Sequence, residues 1–511
     1  MCGICGKLSY GNKMVDEALL RRMCKSLSYR GPDDEGVFAS SKSKFHNSNV
    51  QVGLGHTRLS VIDPSDAGHQ PMCNENETIW LVYNGEIYNF REIRTELKEK
   101  GHRFRSNTDS EVIIHLYEDE GIDCLKRLNG MFAFCIWDER LQKLWLCRDR
   151  LGIKPLVYYW DGETLIFSSE IKGILCDSDV RKEIDWTALN LYLTFNYIPA
   201  PKTIFKNIQK LEAGHYLLAE RKTVVTRKYW DINTDITHPH GKPERSSGQI
   251  GFYKERLYGL MENAVQKRMI SDVPLGAFLS GGIDSSIIVG LMARNSERPV
   301  KTFSIGYKDM PLFDETKYAR EVSRFNKTEH YEFKLNHKDV LDIFPDVLGT
   351  LDEPFADSSA VPTYIVSRET KQHVTVALAG DGADELFAGY RMYQGEYMAK
   401  YFSILPRIIK EGIIGPFTNF LPDSRDKKYS EYMRRFKKFT KGMSGSLAER
   451  FYGWQEIFPS NTRQRLIKNY LQDKISFREG KEIISQRLNE FAGDNINRML
   501  YVDVKNSLPG D

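Results

Sequence analysis

Between Leu257 and Ala379 the chain alternates short apolar runs with helical periods, and few folds accept that alternation. Leu257, Leu260, Met261, Ala264, Val265 and Arg268 space out the stripe of an amphipathic helix. Strand-like runs follow at Leu275–Leu279, Lys301–Ile305, Glu329–Phe333 and Val374–Ala379, with helical periods at Ser285–Arg294, Glu315–Phe325 and Ala360–Lys371 between them. Parallel strands need a crossover connection, so this order predicts an α/β parallel sheet covered on both faces.

The first half reads differently. Val52–Leu54, Ile79–Tyr83, Met131–Trp137 and Lys143–Cys147 are short strands bounded by Gly, Asn and Asp. Helical stretches at Arg91–Lys100 and Ser110–Glu120 interrupt them, which predicts a layered α+β domain with its sheets inside. Around Asp231–Gly248 the chain turns polar and rich in Pro, Gly and Ser, a linker composition. The expected division is a first domain over 1–210, a connecting segment over 211–248 and a second domain over 249–511. From Met392 to Arg478 the pattern is helical, aromatic and locally basic, and its aromatics suit a core better than a base-stacking platform.

A chain of 511 residues exceeds a single core. Lys+Arg 72 against Asp+Glu 69 leaves a net charge of +3, which argues against a dedicated nucleic-acid binder or a membrane-attracted surface. No run approaches the length of a membrane span, and MCGICGKLSYG lacks a secretory pattern, so a cytoplasmic protein is expected. All eight cysteines fall between Cys2 and Cys176. Cys2 and Cys5 form a C-x-x-C pair, but no second ligand pair follows at zinc-site spacing. Cys24, Cys124, Cys135 and Cys147 sit among apolar residues and read as small core residues.

Cys2 follows the initiator methionine. If Met1 is removed, one residue carries both a thiol and a free α-amine, the latter a usable base near neutrality. Its neighbours strengthen the catalytic reading. CGICG (Cys2–Gly6), RGPDDEG (Arg30–Gly36), GHTRLSVID (Gly55–Asp63), YNGEIYN (Tyr83–Asn89), SNTDSEV (Ser106–Val112) and LNGMFAFCIWD (Leu128–Asp138) resemble, in order, the blocks of class II glutamine amidotransferases. That resemblance implies an N-terminal nucleophile hydrolase fold with Cys2 as nucleophile. It also implies Asn84 and the Gly85 N–H as oxyanion hole, and Arg58, Glu86 and Asp109 as the glutamine-binding set. The chemistry fits: a guanidinium fork suits the α-carboxylate, paired acids suit the α-ammonium, and fixed donors suit the developing oxyanion.

FLSGGIDSS (Phe278–Ser286) leaves an apolar strand and enters a helix, offering backbone N–H groups and hydroxyls to phosphate oxygens. The lysine and spacing of a Walker A loop are absent. The loop resembles that of ATP pyrophosphatases, and DEPFADSS (Asp352–Ser359) and FSIGY (Phe303–Tyr307) resemble asparagine synthetase blocks. On that resemblance Ser280, Gly281, Gly282, Asp284, Ser285, Ser304, Ile305, Gly306 and Gly380 are expected at ATP, Asp284 and Asp384 at Mg²⁺, and Asp381 in catalysis. Read without the resemblance, DEPFADSS is an acidic loop with Ser358 or Ser359 as N-cap of the next helix.

The family resemblance implies a ligase. ATP activates a carboxylate as its adenylate, and ammonia from glutamine, carried through an internal tunnel, displaces AMP. The expected partners are glutamine, ATP and aspartate or another carboxylate acceptor, with no nucleic acid, no membrane and a homodimer left open. Asp381 stands where many family members carry Glu, and Ala379 where Ser is usual, so a sugar acid or peptide side chain stays open as acceptor. The family's sequences continue beyond the stretch matching LYVDVKNSLPGD into a K-V-D-R-x-S-M-like segment and a transition-state lysine. The expectation from this is an incomplete synthetase domain with weak adenylation, a chain retaining chiefly its glutaminase.

Overall fold

The computed structural model describes residues 1–11, 14–42, 50–232, 247–309, 314–403, 417, 428–441, 445–472 and 474–510. Most of the expected linker, 233–246, lies outside the described residues.

Two six-stranded antiparallel sheets form the N-terminal half. The first contains β1 (Gly3–Tyr10), β2 (Asp34–Ala39), β3 (Val50–Arg58), β8 (Val157–Trp160), β9 (Thr164–Ser168) and β10 (Ile208–Lys210), in the order β10-β8-β9-β1-β3-β2. The second contains β4 (Met72–Cys73), β5 (Ile79–Ile87), β6 (Gly130–Asp138), β7 (Lys143–Arg148), β11 (His215–Glu220) and β12 (Thr223–Lys228), in the order β12-β11-β7-β6-β5-β4. Ile4, Leu8, Leu54, Ala133, Cys135, Trp137, Leu146 and Phe167 pack together between the sheets.

The alternate residues of β6 face outward, where Phe132, Phe134 and Ile136 meet α2 (Phe90–Glu99) and α3 (Glu111–Glu120). On the far side Cys5 and Ile166 meet α1 (Glu17–Leu27) and α4 (Ile171–Ile174). A strand covered on both faces has no solvent side, which is why Met131–Trp137 reads as an unbroken apolar run. Cys24, Cys124, Cys135 and Cys147 are all fully buried.

The C-terminal half carries the expected parallel sheet. β13 (Leu275–Phe278), β14 (Lys301–Tyr307), β15 (Glu329–Leu335) and β16 (Val376–Leu378) lie in the order β15-β14-β13-β16. Every pair is parallel. The long α6 (Ser247–Arg268), α7 (Ile283–Arg294) and α8 (Thr316–Asn326) share an apolar cluster with β13, including Val265, Ala277, Val289, Met292 and Ala319. A second cluster joins Leu335 to α9 (His337–Thr350) and α10 (Ala360–Thr370). Ser359 does stand at the N-cap of α10, but its side chain makes no capping bond. Its backbone N–H instead donates to Asp357 Oδ1 at 2.6 Å, so the carboxylate organises that turn.

The two halves touch extensively. α5 (Trp186–Phe195) lends Leu191 and Phe195 to a cluster with the helices Leu447–Gln455, Glu479–Glu490 and Asn495–Val502. Asp63 N–H donates to Asp272 Oδ2 at 2.8 Å, and Asp272 N–H returns to Val61 O at 3.1 Å.

Candidate active sites

A cavity of about 310 Å³ opens where β3, β5 and the chain start converge, and its lining includes Cys2, Arg58, Asn84, Gly85, Glu86 and Asp109. These are the six residues expected at glutamine, drawn from four separate stretches of sequence. Cys2 is held from two sides: Leu59 N–H reaches its sulfur at 3.4 Å, and Arg30 Nε donates to its carbonyl at 3.0 Å. Arg30 is itself paired with Glu170 at 2.5 Å. Burial pushes the Cys2 thiol up, and the Leu59 amide, the N-terminal charge and Lys154 oppose it. The N-terminal ammonium, here on Met1, is pushed down to about 5, first by burial and then by Lys154 and Arg30.

Asn84 and Gly85 sit in β5 opposite Ala133 and Phe132. Asn84 is 1% exposed, and among the described residues neither its amide oxygen nor its amide nitrogen has a hydrogen-bond partner. A buried amide without partners is costly unless a ligand completes it. Gly85 is required by packing, since a Cβ there would lie 2.2 Å from Met131 O.

Asp109 Oδ2 accepts from Tyr83 Oη and from Ile87 N–H, both at 2.7 Å. Burial nevertheless raises its carboxyl. Glu86 is raised to about 7, by burial first and the neighbouring Asp109 second. Two crowded buried acids are a site prepared for a cation.

Arg58 departs from a simple clamp. Its Nη1 donates to Ser65 O at 2.8 Å and its Nη2 to Asp63 O at 2.5 Å, so it also orders the 62–65 loop. Gly68 makes room for it, because a Cβ there would fall 1.9 Å from Arg58 Nη2.

At the C-terminal ends of the parallel strands lies a second centre. Gly281, with φ +85°, brings the loop after β13 against α8: a Cβ there would meet Ala319 N at 2.5 Å. Ser280 Oγ lies 3.0 Å from Ser285 Oγ and accepts from Gly282 N–H at 3.2 Å. The loop after β16 packs directly on this one, since a Cβ on Gly380 would lie 3.0 Å from Ser285 N and 3.1 Å from Asp284 Cβ. Asp384, on α11 (Ala383–Phe387), is raised first by burial and then by Asp284 and Glu385. Paired oxygen donors under mutual repulsion are the donor set that suits a hard divalent cation. Asp381 is exposed on the same loop.

Ser304, Ile305 and Gly306 lie within β14. The Ser304 hydroxyl is engaged with His330 Nε2 at 3.1 Å, and Ile305 joins the Leu335 cluster. Beside Asp384 a cavity of about 680 Å³ reaches Asp357, Tyr390, Arg391 and Lys438.

Three features escaped the sequence reading. Lys154 lines the Cys2 cavity from the run LGIKPLVYY, where it carries no motif signal. Tyr83 lay inside a matched block, but only its geometry shows that it holds Asp109. The first cavity also extends to Thr375, Val376 and Ala377, which places the start of β16 in its wall.

Comparison with known proteins agrees with this pairing of centres. A family model described as a glutamine amidotransferase domain matches residues 1–230, and one described as asparagine synthase matches 256–511. The chain is 40% identical over 430 residues to a putative asparagine synthetase (glutamine-hydrolyzing) 2 of Methanocaldococcus jannaschii, covering 80% of this chain and 79% of the relative. It is 33% identical over 518 residues to asparagine synthetase (glutamine-hydrolyzing) 1 of Bacillus subtilis, covering 100% of this chain and 76% of the relative. The two family matches together span nearly the whole sequence, and the chain belongs to the glutamine-hydrolysing asparagine synthetase family of ATP-dependent ligases.

Proposed function

We propose that the chain makes asparagine from aspartate, ATP and glutamine, with Cys2 as nucleophile once Met1 is removed. The observation that carries this reading is that six expected glutamine-site residues share one cavity whose far wall is β16 of the second centre. The Cys2 α-amine takes the thiol proton, and sulfur attacks the glutamine amide carbon. Asn84 and the Gly85 N–H receive the charge on oxygen. The C–N bond breaks, ammonia leaves with the proton, and water hydrolyses the thioester to glutamate. Arg58 takes the α-carboxylate, and Glu86 with Asp109 takes the α-ammonium.

At the second centre the Ser280–Ser285 loop and the first turn of α7 receive the pyrophosphate of ATP. Asp284 and Asp384 would hold Mg²⁺, which would neutralise phosphate charge as pyrophosphate departs. The aspartate carboxylate displaces pyrophosphate, and ammonia arriving past Val376–Ala377 displaces AMP. Asp381 supplies the carboxylate that steers this step.

The test is product analysis with glutamine, ATP and a panel of carboxylate acceptors. Aspartate should give asparagine, AMP and pyrophosphate in equal amounts, and intact mass should be lower by one methionine. Preferential amidation of a sugar acid or a peptide side chain, the reading that the shorter Asp381 leaves open, would replace aspartate as acceptor.

A further inference from the structure

Lys154 lies on the connection from β7 to β8, and its backbone is pinned from both sides. Its N–H donates to Asp149 Oδ2 at 2.9 Å, and its carbonyl accepts from Arg148 Nε at 2.9 Å. Gly152, with φ +70°, makes the turn that this pinning needs. The side chain is thereby delivered into the wall of the Cys2 cavity. Lys154 is 4% exposed. Burial lowers this ammonium from its ordinary value, and Glu86, Cys2 and Asp149 oppose the shift and favour the charged form.

The charged groups that act on it come from several elements. Glu86 approaches from β5, Cys2 and the N-terminal amine from ahead of β1, Arg30 from the turn after α1, and Asp149 from the turn after β7. Asp109 acts on Cys2, and Arg268 of α6 on Glu86. Glu86 and Asp109 are already committed to the glutamine ammonium in the reaction proposed above, which leaves the Cys2 side for the lysine.

We propose that Lys154 is a positioning residue of the glutaminase centre, a fixed cation whose field favours thiolate over thiol and free amine over ammonium at Cys2. This rests on the assignment of Cys2 as the glutaminase nucleophile. A like charge near the α-amine keeps that amine unprotonated and able to accept the thiol proton, while the same charge stabilises the sulfur anion that follows. Arg30 contributes in the same sense but is neutralised by Glu170.

The test is the pH dependence of Cys2 alkylation by iodoacetamide, run beside glutamine hydrolysis, in the wild type, Lys154→Met, Lys154→Gln, Lys154→Arg and Cys2→Ala. Labelling at Cys2 is read by peptide mass. In Lys154→Met the midpoint should rise by about one pH unit, slowing alkylation about tenfold at neutral pH. The acid limb of kcat/KM for glutamine should move with it. Lys154→Arg should retain the wild-type midpoint, and Lys154→Gln carries the same comparison if the methionine variant does not fold. An unchanged midpoint with only a raised KM would assign Lys154 to Glu86 as a simple counter-ion and overturn the proposal. Continued glutamine hydrolysis by Cys2→Ala would overturn the nucleophile itself. A dead Cys2→Ala beside an unshifted Lys154→Met would overturn the lysine's role alone.

Discussion

Glutamine binding should release a proton, and Glu86 is the reason. Burial and the neighbouring Asp109 raise this carboxyl to about 7, against an ordinary 4.5. In the free site Glu86 is therefore largely protonated just below neutrality. The α-ammonium of bound glutamine brings a positive charge against it and should return its affinity for protons toward the ordinary carboxylate value. At pH 6.5 the free group holds about 0.75 of a proton and the bound group almost none, so each glutamine should expel about 0.75 of a proton. The sign is fixed by the raised carboxyl: ionisation costs free energy in the empty pocket, and the ligand restores it. Binding should therefore weaken as pH falls below about 7, by close to tenfold per unit until the bound-state value is reached.

The assay is titration calorimetry of Cys2→Ala, which cannot turn over, in two buffers of different ionisation enthalpy. Glu86→Gln should abolish most of the release and flatten the pH dependence. Equal heats in both buffers at pH 6.5, or proton uptake, would refute the assignment of Glu86 to the ammonium.

Other substitutions separate the two centres and the scaffold. Arg58→Ala should weaken glutamine binding by roughly 2–4 kcal/mol, read as KM, and should also lower thermal stability, because the guanidinium holds the Asp63 and Ser65 carbonyls. Gly68→Ala should raise the same KM with Arg58 still present, since the new methyl would displace Nη2; an unchanged KM would show the guanidinium free to shift. Asp384→Asn should cut aspartate-dependent pyrophosphate release about 10²–10³-fold and leave glutamine hydrolysis intact, measured with ammonia supplied directly.

His115 is raised to about 9 because Glu111 and Glu118 outweigh its burial. The stability it contributes is full below its unfolded value near 6.5 and is lost as pH rises through about 9. His115→Gln should therefore cost on the order of 2–3 kcal/mol at pH 6, discounted for the partly exposed Glu118, and almost nothing at pH 10 by denaturant melts.

Both architectures were legible because burial pattern leaves a direct trace in sequence. The strand–helix alternation predicts β13 to β16 to within a few residues, and Gly-rich strand exits mark where loops gather. α1, α5 and α9 were not anticipated. α5 carries apolar residues almost all round and packs between helices from the far end of the chain, so no single stripe announces it.

The cavity around Cys2 was readable as a set of residue types but not as a geometry. Nothing local says that Arg58 shares its donors with a loop, since those carbonyls belong to backbone. Lys154 was invisible for the same reason: a lone lysine in an apolar run is usually a snorkelling surface residue, and only three-dimensional closure buries it.

The proposed reaction imposes one further demand, that free ammonia reach the adenylate before solvent does, and the contacts between the halves bear on it. The acidic loop of the second centre is fastened to the first domain at three points. Asp352 pairs with Lys172, whose N–H donates to its Oδ2 at 3.0 Å and whose Nζ lies 3.2 Å from its Oδ1. Glu353 pairs with Lys210 and accepts from Ile204 N–H at 3.1 Å, and Ala356 N–H donates to Asn196 O at 2.9 Å. Lys172 also lies 3.2 Å from Glu170, the partner of the Arg30 that holds the Cys2 carbonyl.

On the cavity side, Asp272 and the Val61–Asp63 loop bond in both directions beside Pro274, whose carbonyl accepts from Thr375 N–H at 3.0 Å. The Asp352 and Glu353 contacts are part-buried and the Asp63–Asp272 bond is exposed, so together they resist a hinge more than a single exposed pair could. Their role is positional. In the reaction proposed above they would hold the Cys2 cavity against the start of β16, whose other end leads to the Gly380–Asp384 loop.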